Sequence, residues 1–101
     1  MSKIIGIYEI KNVSTGKSYL GSSKDINRRW SNHISTMRKG NHKCKEMQMD
    51  YDKFGINSFK FTVVVTCLVS ELYIKEKYYL ESFEQEDLYN VKGIRKTTKK
   101  I

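Results

Sequence analysis

Five residues carry side chains suited to chemistry: Tyr8, Tyr19, Arg29, His33 and Glu76. The first four lie within one short stretch, and the carboxylate lies far beyond them in the chain. A phenol has an ordinary pKa of about 10, so it can act on a proton near neutral pH only with help from a neighbouring cation or a metal ion. The fold therefore has to bring the two parts of this set together before it can act as one site.

Glu76 falls within a predicted helix from Ser70 to Phe83, with Ser70 as its cap. The apolar stripe of this helix comprises Leu72, Tyr79, Leu80 and Phe83, with Tyr73 at its edge. Glu76 lies in the middle of that stripe. A carboxylate on a buried face is costly unless it is paired or bound to a metal ion. A structural ion pair with Arg29 or a lysine is the alternative to a functional role.

The two tyrosines are predicted to lie on a β-hairpin. Its strands span Ile4 to Ile10 and Lys17 to Ser22, and its turn is rich in Asn, Ser, Thr and Gly. Tyr8 and Tyr19 can then lie near each other across the ladder. Glycine within a strand, here Gly6 and Gly21, often marks a bulge or a place where another group approaches the backbone closely.

The helix after the hairpin is predicted from Asp25 to Arg38, between N-cap oxygens and the stop signal of Gly40. Its apolar stripe comprises Ile26, Trp30, Ile34 and Met37. This phase places Arg29 and His33 beside the stripe, partly buried and facing the hairpin, whereas Arg28 points to solvent. A surface pair between Arg29 and Asp25 is the alternative.

The rest of the chain predicts an α+β class. A second helix is expected from His42 to Phe54, and a strand from Phe59 to Leu68. Val64 interrupts the alternation of that strand, so we expect its middle to be covered on both faces, as in a central or core strand. A short extended segment, Leu88 to Val91, follows the last helix. The tail contains cations and no acid, which suits a basic arm on a phosphate backbone, the start of a linker or a solvated tail. Its cations are Lys92, Arg95, Lys96, Lys99 and Lys100.

Composition favours a single domain with a polyanionic partner. A net charge of +8 on 101 residues points to nucleic acid first and an anionic membrane surface second. No apolar run could span a membrane and no signal peptide is present, so a cytoplasmic setting is the default. Cys44 and Cys67 with His33 and His42 match no zinc spacing. The sequon at Asn12 is attributed to chance.

The order and spacing of several separated motifs resemble the GIY-YIG endonuclease family. The motifs are Gly6-Ile7-Tyr8, Tyr19-Leu20-Gly21, Arg29, His33, Glu76 and Asn90. Leu20 is a mild departure, because the family usually has isoleucine or valine there. The resemblance covers Lys3 to Val91 and is strongest to the nuclease domains of phage homing endonucleases. It implies a nuclease domain over residues 1–91, with 92–101 as a basic tail or the start of a linker.

The resemblance also implies a fold and a reaction. The fold is a small three-stranded antiparallel sheet flanked by helices, and the reaction is metal-dependent hydrolysis of DNA phosphodiester bonds. Glu76 would be the sole protein ligand of Mg²⁺, with Mn²⁺ as a substitute. Arg29 would hold the scissile phosphate, and Tyr8 or Tyr19 would position or deprotonate the attacking water.

Supporting roles follow from the same resemblance. Lys17 is a candidate for the cation that helps the tyrosines, His33 would assist at the phosphate or the leaving group, and Asn90 would brace the site. Gly6 and Gly21 would leave room for a phosphate or water.

Two other functions stay open at this point. The first is a non-catalytic nucleic-acid-binding module of the same fold, and the second is a small protein that binds acidic partners or membrane surfaces. A nuclease this short either has weak sequence preference, works with an added DNA-recognition domain, or self-associates. A bacterial host cell, infected by phage, is the expected setting.

Overall fold

The computed structural model describes residues 3–90, and these contain one antiparallel sheet of three strands. The strands are β1 (Gly6–Asn12), β2 (Ser18–Ser23) and β3 (Phe59–Thr66), in the order β2-β1-β3. The predicted hairpin and the predicted three-stranded α+β class are confirmed. The central strand is β1, so of the two positions predicted for β3 the central one is wrong, whereas β3 does contribute Phe59 to the core. Val63, Val64 and Val65 are all half-buried, and this coverage of both faces of an edge strand accounts for the broken alternation.

Three α-helices flank the sheet. α1 spans Ile26–Lys39, where the Asp25 carboxylate accepts a hydrogen bond from the Arg28 amide and Gly40 ends the helix with a φ of 80°. α2 spans Lys45–Phe54. It begins later than predicted, because the His42 ring accepts a hydrogen bond from the Cys44 amide and holds this segment outside the helix.

α3 spans Leu72–Ser82 and follows a 3₁₀ turn, Val69–Glu71. Glu71, and not the predicted Ser70, caps this region by accepting a hydrogen bond from the Leu68 amide at 2.9 Å. The predicted apolar stripe of α3 is only half-buried, and the helix contains no buried residue. Tyr73, Ile74 and Tyr78 are exposed on its outer side. α3 therefore covers the sheet without completing a deep core.

The core lies between the sheet, α1 and α2. Its buried cluster comprises Tyr8, Ile10, Ile26, Met37, Met47, Phe59 and Tyr89. Tyr89 donates a hydrogen bond to Asp50 at 2.7 Å and accepts one from Asn12 at 3.1 Å. Asn12 is fully buried, so its sequon is closed to glycosylation in the folded protein.

The end of the described chain returns to the sheet. Leu88 forms a bridge with Ser18, and the Tyr89 amide donates to the Ser18 carbonyl at 2.8 Å. Val91 and the basic tail, with Lys92, Arg95, Lys96, Lys99 and Lys100, lie outside the described residues, as does the predicted boundary after residue 91. Within residues 3–90, no helix combines the length and apolar character that crossing a membrane requires.

Candidate active site

At both glycines of the hairpin, another part of the protein occupies the space that a side chain would take. Gly21 lies opposite Tyr8 in the β1–β2 ladder, and a Cβ at Gly21 would come within 2.4 Å of the Tyr8 hydroxyl oxygen. A Cβ at Gly6 would come within 2.0 Å of the Val65 carbonyl, beside the irregularity in the β1–β3 pairing. The expectation that these glycines leave room for a phosphate or water is therefore wrong. The tyrosine ring and the β3 backbone fill the two spaces.

Tyr8 stands at one end of a relay of hydrogen bonds. Its hydroxyl lies 2.8 Å from Nε2 of His33, and Nδ1 of His33 lies 2.7 Å from Nε2 of His42. The two imidazole rings stack with their centroids 5.0 Å apart. At the other end, Nδ1 of His42 accepts a hydrogen bond from the Cys44 amide at 3.0 Å. We refer to Cys44, His42, His33 and Tyr8 as the Cys44–Tyr8 relay.

Burial keeps the rings of this site neutral near neutral pH. It raises the pKa of Tyr8 to about 12 despite the opposing Arg29 charge and hydrogen bond, and it also raises the pKa of Tyr19. Burial, followed by the nearby His42 and Arg29, lowers the pKa of His33 to about 4. Burial likewise lowers the pKa of His42. Two charged side chains affect both tyrosines: the Arg29 charge lowers their pKa values and the Glu76 charge raises them.

Arg29 is exposed, although the helix phase predicted partial burial. It lies on α1 and lines two open grooves, while its side chain also hydrogen-bonds to the buried Tyr8. One groove, of about 490 Å³, has Tyr19, Asn32 and Lys43 in its lining. The other, of about 470 Å³, extends to Ser22, Lys24 and Arg28. Because Arg29 lines both grooves, its cation is accessible to an anionic ligand from either side.

Glu76 reaches the site from α3. It is half-buried, and one of its carboxylate oxygens accepts a hydrogen bond from the Ser22 hydroxyl at 2.8 Å. The ion pair considered as its structural alternative is absent, because Glu76 has no Lys, Arg or His nitrogen within 4.0 Å in the described part of the chain. Among residues 3–90, no group of three or more His, Cys, Asp or Glu side chains could hold a metal ion. A metal ion at Glu76 would therefore take most of its ligands from water or substrate.

Lys17 and Asn90 have structural partners. Lys17 forms an ion pair with Glu46 on α2. Its candidate role beside the tyrosines therefore stays a prediction. The Asn90 amide pairs with Leu20, donating to its carbonyl at 2.8 Å and accepting from its N–H at 3.0 Å. Asn90 thereby closes the free edge of β2 between Tyr19 and Gly21.

The five residues singled out by type come together from four elements: Tyr8 on β1, Tyr19 on β2, Arg29 and His33 on α1, and Glu76 on α3. Two further contributors were missed in the sequence. Nothing in the sequence placed Ser22 in the site, and His42 was considered only as a poor zinc ligand. No local pattern marks either residue, because each acts through a contact between distant segments.

Comparison with known proteins gives a consistent result. Residues 4–90 match the family described as the GIY-YIG catalytic domain. The chain is 39% identical over 59 residues to intron-associated endonuclease 1 of Enterobacteria phage T4, a match that covers 58% of this chain and 24% of that protein. The chain thus spans about a quarter of the length of that relative.

Two solved structures share the fold. One is the catalytic domain of homing endonuclease I-TevI, with a TM-score of 0.74 and 27% identity, covering 84% of this chain and 95% of that one. The other is a glutamate-to-alanine mutant of the I-TevI catalytic domain, with a TM-score of 0.78 and 27% identity, covering 87% of this chain and 93% of that one.

Proposed function

The chain belongs to the GIY-YIG catalytic domain family, and on this ground we propose that it is an endonuclease that hydrolyses DNA phosphodiester bonds with a divalent metal ion. The observation that carries the proposal is the placement of Glu76. It is a half-buried carboxylate without a cationic partner in the described chain. Its negative charge raises the pKa of Tyr8 and Tyr19, the same two tyrosines whose pKa the Arg29 charge lowers. A site that binds only an anion gains nothing from such a carboxylate, because its charge repels the ligand.

Arg29 is the group that binds the scissile phosphate in this proposal. Its guanidinium has planar, paired donors that match phosphate oxygens, and it is accessible from both grooves. As the phosphorus is attacked, negative charge grows on those oxygens, and a fixed cation stabilises it. Exposed cations along the grooves, Lys24 and Lys43 among them, would bind flanking phosphates.

Tyr19 is better placed than Tyr8 to hold the attacking water. Tyr19 lines the larger groove, whereas Tyr8 is fully buried. Tyr19 is neutral near pH 7, so it orients the water through a hydrogen bond before it removes any proton. His33 has both ring nitrogens engaged within the protein, and it would affect the phosphate through Tyr8 rather than by direct contact.

Glu76 fits a hard divalent ion such as Mg²⁺, with Mn²⁺ as a substitute. Its oxygens are hard donors, the Ser22 hydroxyl orients one of them, and half-burial retains access for water ligands. When bound, such an ion supplies a positive charge that polarises the phosphoryl oxygen and stabilises the leaving oxygen.

The biological setting is proposed from the relatives. We infer a homing-type or freestanding phage nuclease domain that acts in the cytoplasm of a bacterial host. A groove system this small contacts few base pairs, so target choice would depend on a further DNA-recognition domain or on self-association.

A plasmid assay tests the proposed activity. Purified protein should convert supercoiled plasmid to nicked or linear DNA with Mg²⁺ or Mn²⁺, and EDTA should stop the reaction. Arg29→Ala should abolish cleavage while its circular dichroism spectrum stays that of the wild type. The competing function, a non-catalytic nucleic-acid-binding module, predicts salt-dependent DNA binding with no cleavage under either metal ion.

A further inference from the structure

An exposed apolar patch lies on the outer side of α3 and on the turn before it. Among residues 3–90, eight large apolar side chains are exposed, and five of them lie in one stretch of eleven residues. These five are between 50% and 75% exposed. We refer to Leu68, Val69, Tyr73, Ile74 and Tyr78 as the α3 patch.

The α3 patch is large for a monomer. A large side chain presents about 150–250 Å² when it is fully exposed, so these five present roughly 500 Å² together. The largest patch on a typical monomer is about 300–600 Å², whereas one partner of a standard interface contributes about 800 Å² including its polar rim. The patch is continuous through Glu71, which lines one groove of about 400 Å³ with Tyr78 and another of about 430 Å³ with Leu68.

The charge around the α3 patch argues against a polyanionic occupant. Six of the eleven acidic residues of the chain lie between residues 71 and 87, where there are only two lysines. Such a surface repels nucleic acid and anionic membranes. The cations that line the grooves of the candidate active site lie instead on α1 and in the segments beside it, Arg28, Arg29 and Lys43 among them.

The charges within the α3 patch suit a two-fold contact between identical surfaces. Glu71 and Lys75 lie one helical turn apart on the same side of α3, where both line the groove of about 400 Å³. Neither side chain has an oppositely charged group within 4.0 Å among residues 3–90. In an antiparallel pair of α3 helices with the two-fold axis level with Tyr73, Glu71 of each copy faces Lys75 of the other. The same axis places Tyr78 of each copy over residues 68–69 of the other.

We propose that the α3 patch is the interface of a homodimer, in which two copies of the chain pack their α3 helices antiparallel and form mutual Glu71–Lys75 ion pairs. Ile74, at the centre of the patch, and Glu76 are two residues apart, so they point about 200° apart around the helix. Each Glu76 therefore faces away from the interface, and dimerisation leaves both candidate active sites open. The inference goes beyond the proposed nuclease function and does not depend on it.

Sedimentation equilibrium of the full chain tests the association without any cleavage assay. We expect the apparent mass to rise from 11.9 kDa towards twice that value as the concentration increases from about 1 to 500 µM. Ile74→Glu places a charge in the centre of the interface and should weaken the dimer about tenfold or more. Met49→Glu is the matched control, because Met49 is similarly exposed on α2, outside the patch, and it should leave association unchanged. A wild-type chain that stays monomeric throughout, or an equal effect of the two variants, overturns the proposal.

Charge exchange tests the antiparallel arrangement. Glu71→Lys alone and Lys75→Glu alone each place like charges opposite each other, so each variant should associate about threefold or more weakly than the wild-type chain. In an equimolar mixture, a Glu71→Lys copy opposite a Lys75→Glu copy regains both ion pairs. The mixture should therefore associate more tightly than either variant by itself, with circular dichroism showing that both variants are folded. A mixture that associates no more tightly than its two components contradicts the proposed interface.

Discussion

Gly21→Ala is expected to displace Tyr8 and with it the relay. The added Cβ would lie 2.4, 2.5 and 2.9 Å from three atoms of the Tyr8 phenol. The shortest of these is about 1 Å less than the 3.4 Å at which ordinary contact begins. The backbone of Gly21 has no left-handed φ, so alanine meets no conformational strain of its own. The loss of stability in Gly21→Ala should therefore come from the clash with Tyr8.

The magnitude follows from what holds Tyr8. The ring is fully buried and packs against the core cluster. Overpacking of this kind costs about 1–3 kcal/mol, and loss of the 2.8 Å bond to His33 adds about 1 kcal/mol. We expect the free energy of unfolding, measured by urea denaturation, to fall by about 2–4 kcal/mol. Cleavage should fall further than the folded fraction does, because Tyr8 is shifted in the molecules that remain folded.

A double-mutant cycle isolates the cause. In a Tyr8→Leu background the three phenol atoms are gone, so Gly21→Ala should cost much less there than in the wild-type protein. Gly16→Ala is the matched control: Gly16 has a φ of 82° and nothing within 4 Å of its Cβ position, so it should cost about 1 kcal/mol in either background. An equal cost of Gly21→Ala in both backgrounds would refute the reasoning.

Three further predictions concern a hydrogen bond, a buried histidine and an ion pair. Ser22→Ala removes the bond that orients Glu76, and it should raise the Mg²⁺ concentration for half-maximal cleavage about three- to tenfold; an unchanged midpoint would contradict this. His33 has a pKa of about 4 when folded against 6.5 when unfolded, so between these pH values only the unfolded state binds the proton. The free energy of unfolding should therefore fall by about 3 kcal/mol as the pH drops from 6.5 to 4, and urea titrations of His33→Gln should show a flatter profile. Glu46→Gln breaks a partly exposed ion pair, so it should cost less than about 1 kcal/mol in the same titration and leave cleavage unchanged; a large loss of activity would place Lys17 in the site.

Local signals were sufficient for the hairpin and the helix that follows it. The turn residues set the strand pairing, and Asp25 and Gly40 set the ends of α1 to within one residue of the prediction. These features depend on the residues themselves and their immediate neighbours. They could be predicted because capping and turn chemistry act over a few positions.

Features that depend on contacts between distant segments could not be predicted. The apolar run of β3 has the composition of a central strand, but strand order depends on which neighbour pairs with β1. Nothing in the sequence around Gly21 indicates that a tyrosine from the adjacent strand occupies the position of its missing side chain. The exposure of Arg29 was wrongly predicted for a related reason. Helix phase gives the direction of a side chain but not whether a groove lies there.

The sequence predicted that Glu76 would be an unusual carboxylate on a helix face, but it did not predict which groups surround it. Its position on the apolar stripe of α3 indicated an unusual burial, and the structure shows half-burial and a hydrogen bond from Ser22. A stripe cannot identify a partner on another element, so Ser22 was missed. His42 was missed because it contacts the site through His33, which lies on α1, whereas His42 lies in the loop between α1 and α2.

The central claim is that Glu76 serves the reaction rather than the fold, and single-turnover cleavage at saturating Mg²⁺ tests it most directly. Glu76→Gln keeps the size of the side chain and its capacity to accept from Ser22, while removing the charge. Glu81→Gln makes the same change at an exposed position of the same helix. We predict that Glu76→Gln slows cleavage about a hundredfold or more and that Glu81→Gln stays within about twofold of the wild type. Cleavage by Glu76→Gln at the wild-type rate would contradict the claim.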